Sequence, residues 1–278
     1  MGAVMAIQNS INTNPGSLVA LRNLNATNLA LGKTQDKVST GLKVIGAKDD
    51  ASSFAIAQGI RAELKGLAAV KQGLANGQGV ATVAIGGATE ISNLLSDVKR
   101  KIIEGLNPGN TSEQQVILNA DFAGLVGQIL TFAQNAEFNG RNILESGGSN
   151  VNVIADTSGG ALTLRAQDLE GTVFSPLNAQ NIANVSAASA ALTVVNSALA
   201  TLSTALGQLG ADSRTLTFQD TFLTAISDAT EEGLGAIVDA DLAKESAKLQ
   251  ALQVKQQLSV QTLSIANASP QVILNLFQ

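Results

Sequence analysis

The sequence predicts a mainly α protein, an elongated antiparallel coiled-coil rod of long helices with a small β-hairpin region. Three observations carry that expectation. Apolar residues recur on a three-then-four spacing through most of the 278 residues, which is the period of one helix face. Aromatic residues are 3% of the chain, with no Trp and no Tyr, so long helices can pack closely through small side chains while a thick globular interior has little to fill it. A single stretch, residues 147 to 178, reads with the two-residue alternation of a strand.

Residues 1 to 16 are polar and Asn-rich, closed by Pro15-Gly16, and read as a flexible lead-in. From Ser17, the positions Leu21, Leu24, Asn28, Leu31, Gln35, Val38 and Leu42 keep heptad register and give a first long helix. Gly41 and Gly46 break it, so residues 39 to 54 form a connector whose Asp50 to Ser53 end offers N-cap chemistry. The next helical tract runs to about Glu104 with Ile60, Leu64, Leu67 and Leu74, then Ala84, Ala88, Ile91, Leu95, Val98 and Ile102. Glycines at 73, 77, 79, 86 and 87 weaken its middle by roughly 1 kcal/mol each against Ala. Leu106 to Gly109 is a turn, and Ser112 with Gln115 forms a capping box for a helix striped by Leu118, Phe122, Leu125, Ile129, Phe132 and Ala136. That helix ends near Phe138, where Asn139-Gly140 is a strong turn pair.

Within residues 147 to 178, alternation on both sides of Thr157-Ser158-Gly159-Gly160 predicts a hairpin. From about Ala187 a long heptad register follows through Leu192, Val195, Leu199, Leu202, Leu206, Leu209, Leu216 and Leu223, broken at Ser213 and Asp220. Gly233 and Gly235 are expected to interrupt it. The last helix, Asp239 to Phe277, has no Gly and carries one stripe of Ala251, Val254, Leu258, Ile265, Ala268 and Val272, broken only by Gln261. Leu242, Leu249, Leu252, Val260 and Leu263 lie on its other faces. One partner helix cannot cover both sets, so some neighbours are expected to come from other copies of the chain. The two terminal helices are the expected pair, and a chain that goes out and comes back in tracts of about 45 residues spans about 65 Å. The expected divisions are residues 1–45 with 236–278 as a terminal coiled coil, 46–146 as helices, 147–185 as hairpin and loop, and 186–235 as a further helix.

Chemistry is hard to place on this chain. No His and no Cys removes imidazole bases, thiolate nucleophiles, disulfides and most zinc ligand sets together. A net charge of −5 without a basic stripe argues against nucleic acid, and no uninterrupted apolar run is long enough to predict membrane insertion. The opening MGAVMAIQNS has no basic segment before an apolar core, so export without a cleavable signal is expected. Asp49 and Asp50 beside Lys48 read as capping residues rather than an acid–base pair. Gly77-Gln78-Gly79 lacks the preceding strand and third glycine of a dinucleotide loop. Asp156, Asp168 and Glu170 match no calcium-loop spacing. No catalytic residue, cofactor or metal is expected, and the chain does not read as an enzyme.

Four stretches in order carry a resemblance to bacterial flagellin: Ser10 to Asn14; Ser39-Thr-Gly-Leu-Lys43 with Ala47-Lys-Asp-Asp-Ala51 and Ala55-Ile-Ala57; Phe138 to Leu144; and Val238 to Ala243 through Ser269-Pro-Gln271 and Leu274, Leu276 and Phe277. The chain resembles the short, alphaproteobacterial-type subunit without large outer domains. The resemblance implies a structural subunit that self-assembles into the flagellar filament for motility, located outside the cell. The terminal coiled coil would then line the inner core and the 46–235 body the shell. It further implies a homopolymer joined through the terminal helices, at Leu21, Leu24, Leu31, Val38, Leu249, Ala251, Val254, Leu258 and Ile265, with a flagellar cap, hook-junction proteins and an export chaperone as partners. The family's innate-receptor motif falls on Ser96, Asp97, Val98, Lys99, Arg100 and Lys101, where Asp97 and Arg100 reverse two charges, so weak activation of the Toll-like flagellin receptor is expected. The alternative reading is a flagellin-like surface adhesin or receptor for a polysaccharide.

Overall fold

The structure is a computed structural model that describes residues 13–275, with side chains to 268. The lead-in up to residue 12, the ends Leu276 and Phe277, and the side chains of Val272 and Leu274 lie outside the described residues. Six helices and four short strands follow in order: α1 Pro15–Thr40, α2 Ala51–Gly105, α3 Ser112–Asn135, β1 Glu137–Phe138, β2 Arg141–Asn142, β3 Val151–Ile154, β4 Ala161–Leu164, α4 Ser175–Asn178, α5 Val185–Val238 and α6 Leu242–Asn275. The protein is therefore mainly helical with two antiparallel hairpins, β1–β2 and β3–β4. The chain forms two compact units, one of residues Met1–Ala62 with Thr230–Gln278 and one of Glu63–Ala229.

In the larger unit the core is a layer between α2, α3 and α5. α2 supplies Ala84, Ala88, Ile91, Leu95, Val98 and Ile102, all fully buried and alternating four and three apart. α3 adds Phe122, Val126, Ile129 and Ala133, and α5 adds Ala188, Ala191, Val195, Ala198, Leu202, Ala205 and Leu209. Every second seam position of α5 is Ala, which lets neighbouring helices approach closely. By length and composition α3 and α5 could each cross a bilayer; the residues named above face this core, while Val116 and Ile117 of α3 and Phe218 and Phe222 of α5 are exposed. A second cluster joins Leu67, Val70 and Leu74 of α2 to Leu216 and Leu223 of α5 through Val153 of β3.

The glycines of α2 do not break it, because three of them are seats. A Cβ at Gly77 would stand 2.6 Å from Val153, at Gly79 2.7 Å from the Phe138 ring, and at Gly87 2.9 Å from the Ala136 methyl. Both hairpins thus rest directly on the α2 backbone, and packing compensates the lost helix propensity. The sequence reading placed all strand structure in 147 to 178. In fact a hairpin forms earlier, at 137 to 142, because Asn139 and Gly140 both adopt left-handed backbone, φ 51° and 75°, as a two-residue type I′ turn requires. The β3–β4 hairpin forms as expected, its turn tied by Asp156, whose Oδ1 accepts from the amides of Ser158 and Gly160 at 2.7 and 2.9 Å. Residues 170 to 178 are not strand; a π turn over Glu170–Phe174 leads into α4.

Four helix ends differ from their sequence expectations. Pro15 does not stop the lead-in but opens α1 at its first turn, with Asn14 as N-cap. The capping box of α3 is Thr111 with Gln114, one residue earlier than expected. Gln115 is instead buried, and its Nε2 donates to the carbonyls of Gly105 and Ile182 at 2.9 and 2.6 Å, closing the end of α2. α3 itself stops at Asn135, where Asn142 donates through Nδ2 to the carbonyls of Ala133 and Gln134 at 2.8 and 3.0 Å. Finally α5 runs through Gly233 and Gly235 and stops at Val238, where the backbone is diverted into an antiparallel bridge between Leu42 and Asp239.

These seats give a testable contrast. Gly77→Ala and Gly87→Ala are expected to destabilise the protein by about 1–3 kcal/mol through overpacking. Gly86→Ala, whose Cβ would have nothing within 4 Å, is expected to stabilise it by about 1 kcal/mol. Denaturant unfolding of the three variants measures the difference in sign.

Candidate functional site

The smaller unit is organised by the pairing of α1 with α6. The α1 side of the seam is Ala20, Leu24, Thr27, Leu31, Thr34 and Val38, alternating four and three apart, with Ala20, Thr27 and Thr34 buried and the larger residues half-buried. Its α6 side is Leu249, Leu252, Gln256, Ser259, Leu263 and Ala266, each half-buried. Small and polar residues alternate along the seam with the half-buried Leu and Val side chains and let the helices approach. Thr27 satisfies its hydroxyl by donating to the Asn23 carbonyl at 2.8 Å, and Gln256 Nε2 donates across the seam to Asn28 Oδ1 at 2.8 Å. Of the positions expected on the pairing stripe, Leu24, Leu31, Val38 and Leu249 face the partner helix and Leu21 is exposed.

The other predicted stripe of α6 has no cover among the described residues. Val254, Leu258 and Ile265 are 55%, 59% and 67% exposed, and Ala251 beside them is exposed as well. Leu18, Val19, Leu21 and Leu29 of α1 are exposed too. A monomer therefore presents two long helices whose facing sides are satisfied by each other and whose outer sides carry unburied aliphatic groups, the arrangement that marks an association surface.

Two joints hold this pair in register. At one end Gly41, with φ 73°, terminates α1 and its amide donates to the Lys37 carbonyl at 2.9 Å. Lys43 then donates through its backbone amide to the Val238 carbonyl at 2.7 Å and through Nζ to the Ala236 carbonyl at 2.9 Å, while the Ala240 amide donates to the Gly41 carbonyl at 2.8 Å. Val44, Ala57 and Val238 form a small core beside the joint. Asp49 and Asp50 serve this connector: Asp49 Oδ2 accepts from the Ile45 and Gly46 amides, and Asp50 caps α2 by accepting from Ser52 and Ser53. Chiefly through the Ser53 hydroxyl, those bonds hold the Asp50 carboxyl below its ordinary pKa.

At the far end the register is set by Asn14 and Pro270, which the sequence reading placed in motifs without assigning them this role. Proline at 270 has no amide hydrogen, so the Ala266 carbonyl four residues earlier loses its helical donor. Asn14 Nδ2 supplies one at 2.7 Å while its Oδ1 caps α1 by accepting from the Ser17 amide at 3.1 Å. Ser17 Oγ adds a bond to Asn267 Oδ1 at 2.5 Å. The available signal was an Asn immediately before Pro-Gly at a helix start.

The remaining sequence-flagged positions lie in the larger unit and are structural. Gly77 and Gly79 are the hairpin seats. Asp156 and Asp168 accept backbone amides in their own turns, and Glu170 accepts from the Ser146 amide and Gln134. Among the described residues no group of three or more Asp, Glu, His or Cys converges as a metal site. On α2, Ser96, Asp97 and Arg100 are exposed and Lys99 is half-buried. Arg100 donates to Asp97 at 2.9 Å and pairs with Glu104 at 3.5 Å, and the Asp97 bond raises the guanidinium further above its ordinary pKa. Lys101 bridges Glu104 and Asp121. The face is thus an internally paired ion network.

Comparison with known proteins identifies two matching regions. The family model for the bacterial flagellin N-terminal helical region matches residues 11–149, and that for the bacterial flagellin C-terminal helical region matches residues 192–277. Flagellin FljO of Caulobacter vibrioides is 38% identical over 270 residues, covering 97% of this chain and 99% of that protein. A flagellin of Brucella melitensis is 37% identical over 281 residues, with 97% and 99% covered. Among solved structures, one from Vibrio parahaemolyticus assigned as a flagellar hook-associated protein covers 69% of this chain and all of its own at TM-score 0.60 and 13% identity, a likeness of fold.

The Asn14 joint separates two contributions by substitution. Asn14→Asp keeps the capping acceptor and loses the amide donor to Ala266, and is expected to increase hydrogen exchange at the C-terminal end of α6 while leaving the first turn of α1 protected. Asn14→Ala is expected to expose both and to cost about 1–2 kcal/mol.

Proposed function

The chain belongs to the bacterial flagellin family, and we propose that it builds its filament by burying the outer faces of α1 and α6 against other copies. It is a structural subunit of the extracellular bacterial flagellar filament, not an enzyme, and self-assembly is its activity. The observation that carries the assembly reading is the uncovered stripe of Val254, Leu258 and Ile265, on a helix whose opposite side is already engaged by α1. Burying each such side chain contributes about 1.5–3 kcal/mol, opposed by the entropy of ordering the terminal segments. Assembly and terminal ordering are thereby coupled. Leu21 joins the same outer surface, whereas Leu24, Leu31, Val38 and Leu249 hold the pair that presents it, and Ala251 allows close approach beside Val254.

In the same reading, residues 1–45 with 236–278 form the inner core of the tube and residues 46–235 its shell, the 147–185 segment lying at the shell's far part. Contacts with a filament cap, hook-junction proteins and an export chaperone follow from family resemblance. A chain without cysteine passes an export channel unfolded and refolds with no oxidative step. The reversed charges at Asp97 and Arg100, tied to each other and to Glu104, give a surface that a receptor matched to the opposite signs engages poorly.

Electron microscopy of precipitant-induced polymerisation tests the assembly reading. Filaments are expected from the full chain, none from a form lacking residues 1–45 and 239–278, and a strongly raised critical concentration for Leu258→Ser with Ile265→Ser. Filaments from the truncated form would overturn it. In a reporter-cell assay, purified filament protein is expected to activate the Toll-like flagellin receptor weakly, with Asp97→Arg plus Arg100→Glu increasing the response.

A further inference from the structure

The larger unit carries an aromatic pair without a pocket and an apolar groove without an occupant. Of the seven phenylalanines whose side chains are described, only Phe218 and Phe222 are exposed, at 72% and 57%. They stand one turn apart on α5, away from Leu216 and Leu223, which face the core. The groove, about 450 Å³, lies between α2 and both hairpins and is lined mainly by Val70, Gly73, Gly77, Phe138, Val151 and Ile154. No α5 residue lines it, so the pair does not fill the groove of its own chain. Its size falls in the range of about 300–1,000 Å³ that encloses ligands as large as two benzyl groups. Gly73 deepens it, because a Cβ there would meet nothing within 4 Å.

We propose that Phe218 and Phe222 of one subunit dock in the α2–hairpin groove of a second copy in the filament. A helical polymer requires a heterologous contact, in which one patch of the chain meets a different patch of its neighbour. Knob and groove on the same chain satisfy that requirement, whereas two knobs or two grooves would close a dimer. The second copy is the occupant favoured because this chain self-assembles, and because both the pair and the groove are apolar. The contact belongs to the shell and is separate from the α1–α6 surface, although it rests on the filament reading.

The absence of cysteine lets single thiols be placed cleanly. Wild-type chain, Phe218→Ser, Phe222→Ser and Gly73→Leu are compared for critical concentration, and filaments mixed from Gly73→Cys and Phe222→Cys chains are treated with a short bis-maleimide. Each serine variant is expected to raise the critical concentration on the order of ten- to a hundredfold. Gly73→Leu, which fills the groove from an open helix position, is expected to do the same while melting no lower than wild type. A 73–222 cross-linked dimer is expected only in mixed filaments. Wild-type critical concentrations for the variants, or no cross-link in mixed filaments, would overturn the docking while leaving the filament role intact. A defect in Gly73→Leu alone would mean that another segment of the neighbour fills the groove, and also overturns the pairing. A wild-type chain that forms no filaments removes the filament reading and the docking with it.

Discussion

The larger unit depends on α2 remaining one helix while side chains of the hairpin segments lie directly against its backbone. Gly77, Gly79 and Gly87 admit Val153, Phe138 and Ala136 to distances that no Cβ would allow. With those contacts made, β1–β2 and β3–β4 become part of the core rather than appendages to it. Val153 then bridges α2 to α5, and Arg165 just after β4 forks onto Asp212 of α5 with bonds of 3.1 and 2.7 Å. A bulkier interior would not need such closeness. In a chain with so little aromatic volume, dispersion contacts must come from proximity, and glycine on the shared helix provides it.

The same economy appears at helix ends, where side-chain amides from elsewhere in the chain replace missing helical partners. Gln115 closes α2, Asn142 closes α3, and Asn14 completes α6 at the carbonyl left open by Pro270. Each amide is a double-ended group: Asn142 accepts from the Leu144 amide at 2.8 Å while donating to α3, and Asn14 caps one helix while bonding another. Such residues fix where one element ends relative to the next. Much of the abundant Asn and Gln that first reads as polar filler therefore sets registry.

Sequence periodicity made the helices, their order and most core positions legible, because burial on α2 and α5 repeats every three and four residues as Leu95, Val98 and Ile102, or Leu202 and Leu209, indicate. The β3–β4 hairpin was legible from its alternation. What periodicity could not resolve was which of two apolar stripes on a helix faces inward. On α6 the stripe of Val254, Leu258 and Ile265 faces out, and the seam runs through Leu249, Leu252 and Leu263 with polar Gln256 and Ser259 between them. The partner decides this: α1 presents the buried Ala20, Thr27 and Thr34 between half-buried Leu24, Leu31 and Val38, and α6 meets them with Leu249, Leu252 and Leu263 alternating with Gln256 and Ser259. Gly233 and Gly235 misled in the other direction. A helix with neighbours tolerates glycine, and α5 ends only where the Val238 carbonyl finds a better donor in Lys43.

That inversion of α6 bears on how a polymer-forming chain avoids being satisfied alone. Were the aliphatic stripe turned toward α1, the monomer would bury it and gain stability, but association would have little apolar area left to remove from water. With Val254, Leu258 and Ile265 outside, the isolated pair is only partly satisfied. In the proposed assembly that apolar area would be removed from water when copies meet. The aromatic pair on α5 follows the same logic in the larger unit, since Phe218 and Phe222 would each be worth burying and instead stand exposed. A subunit that must stay soluble until it reaches a growing end gains from keeping these surfaces apart, on different helices, so that no single contact with another monomer covers them all.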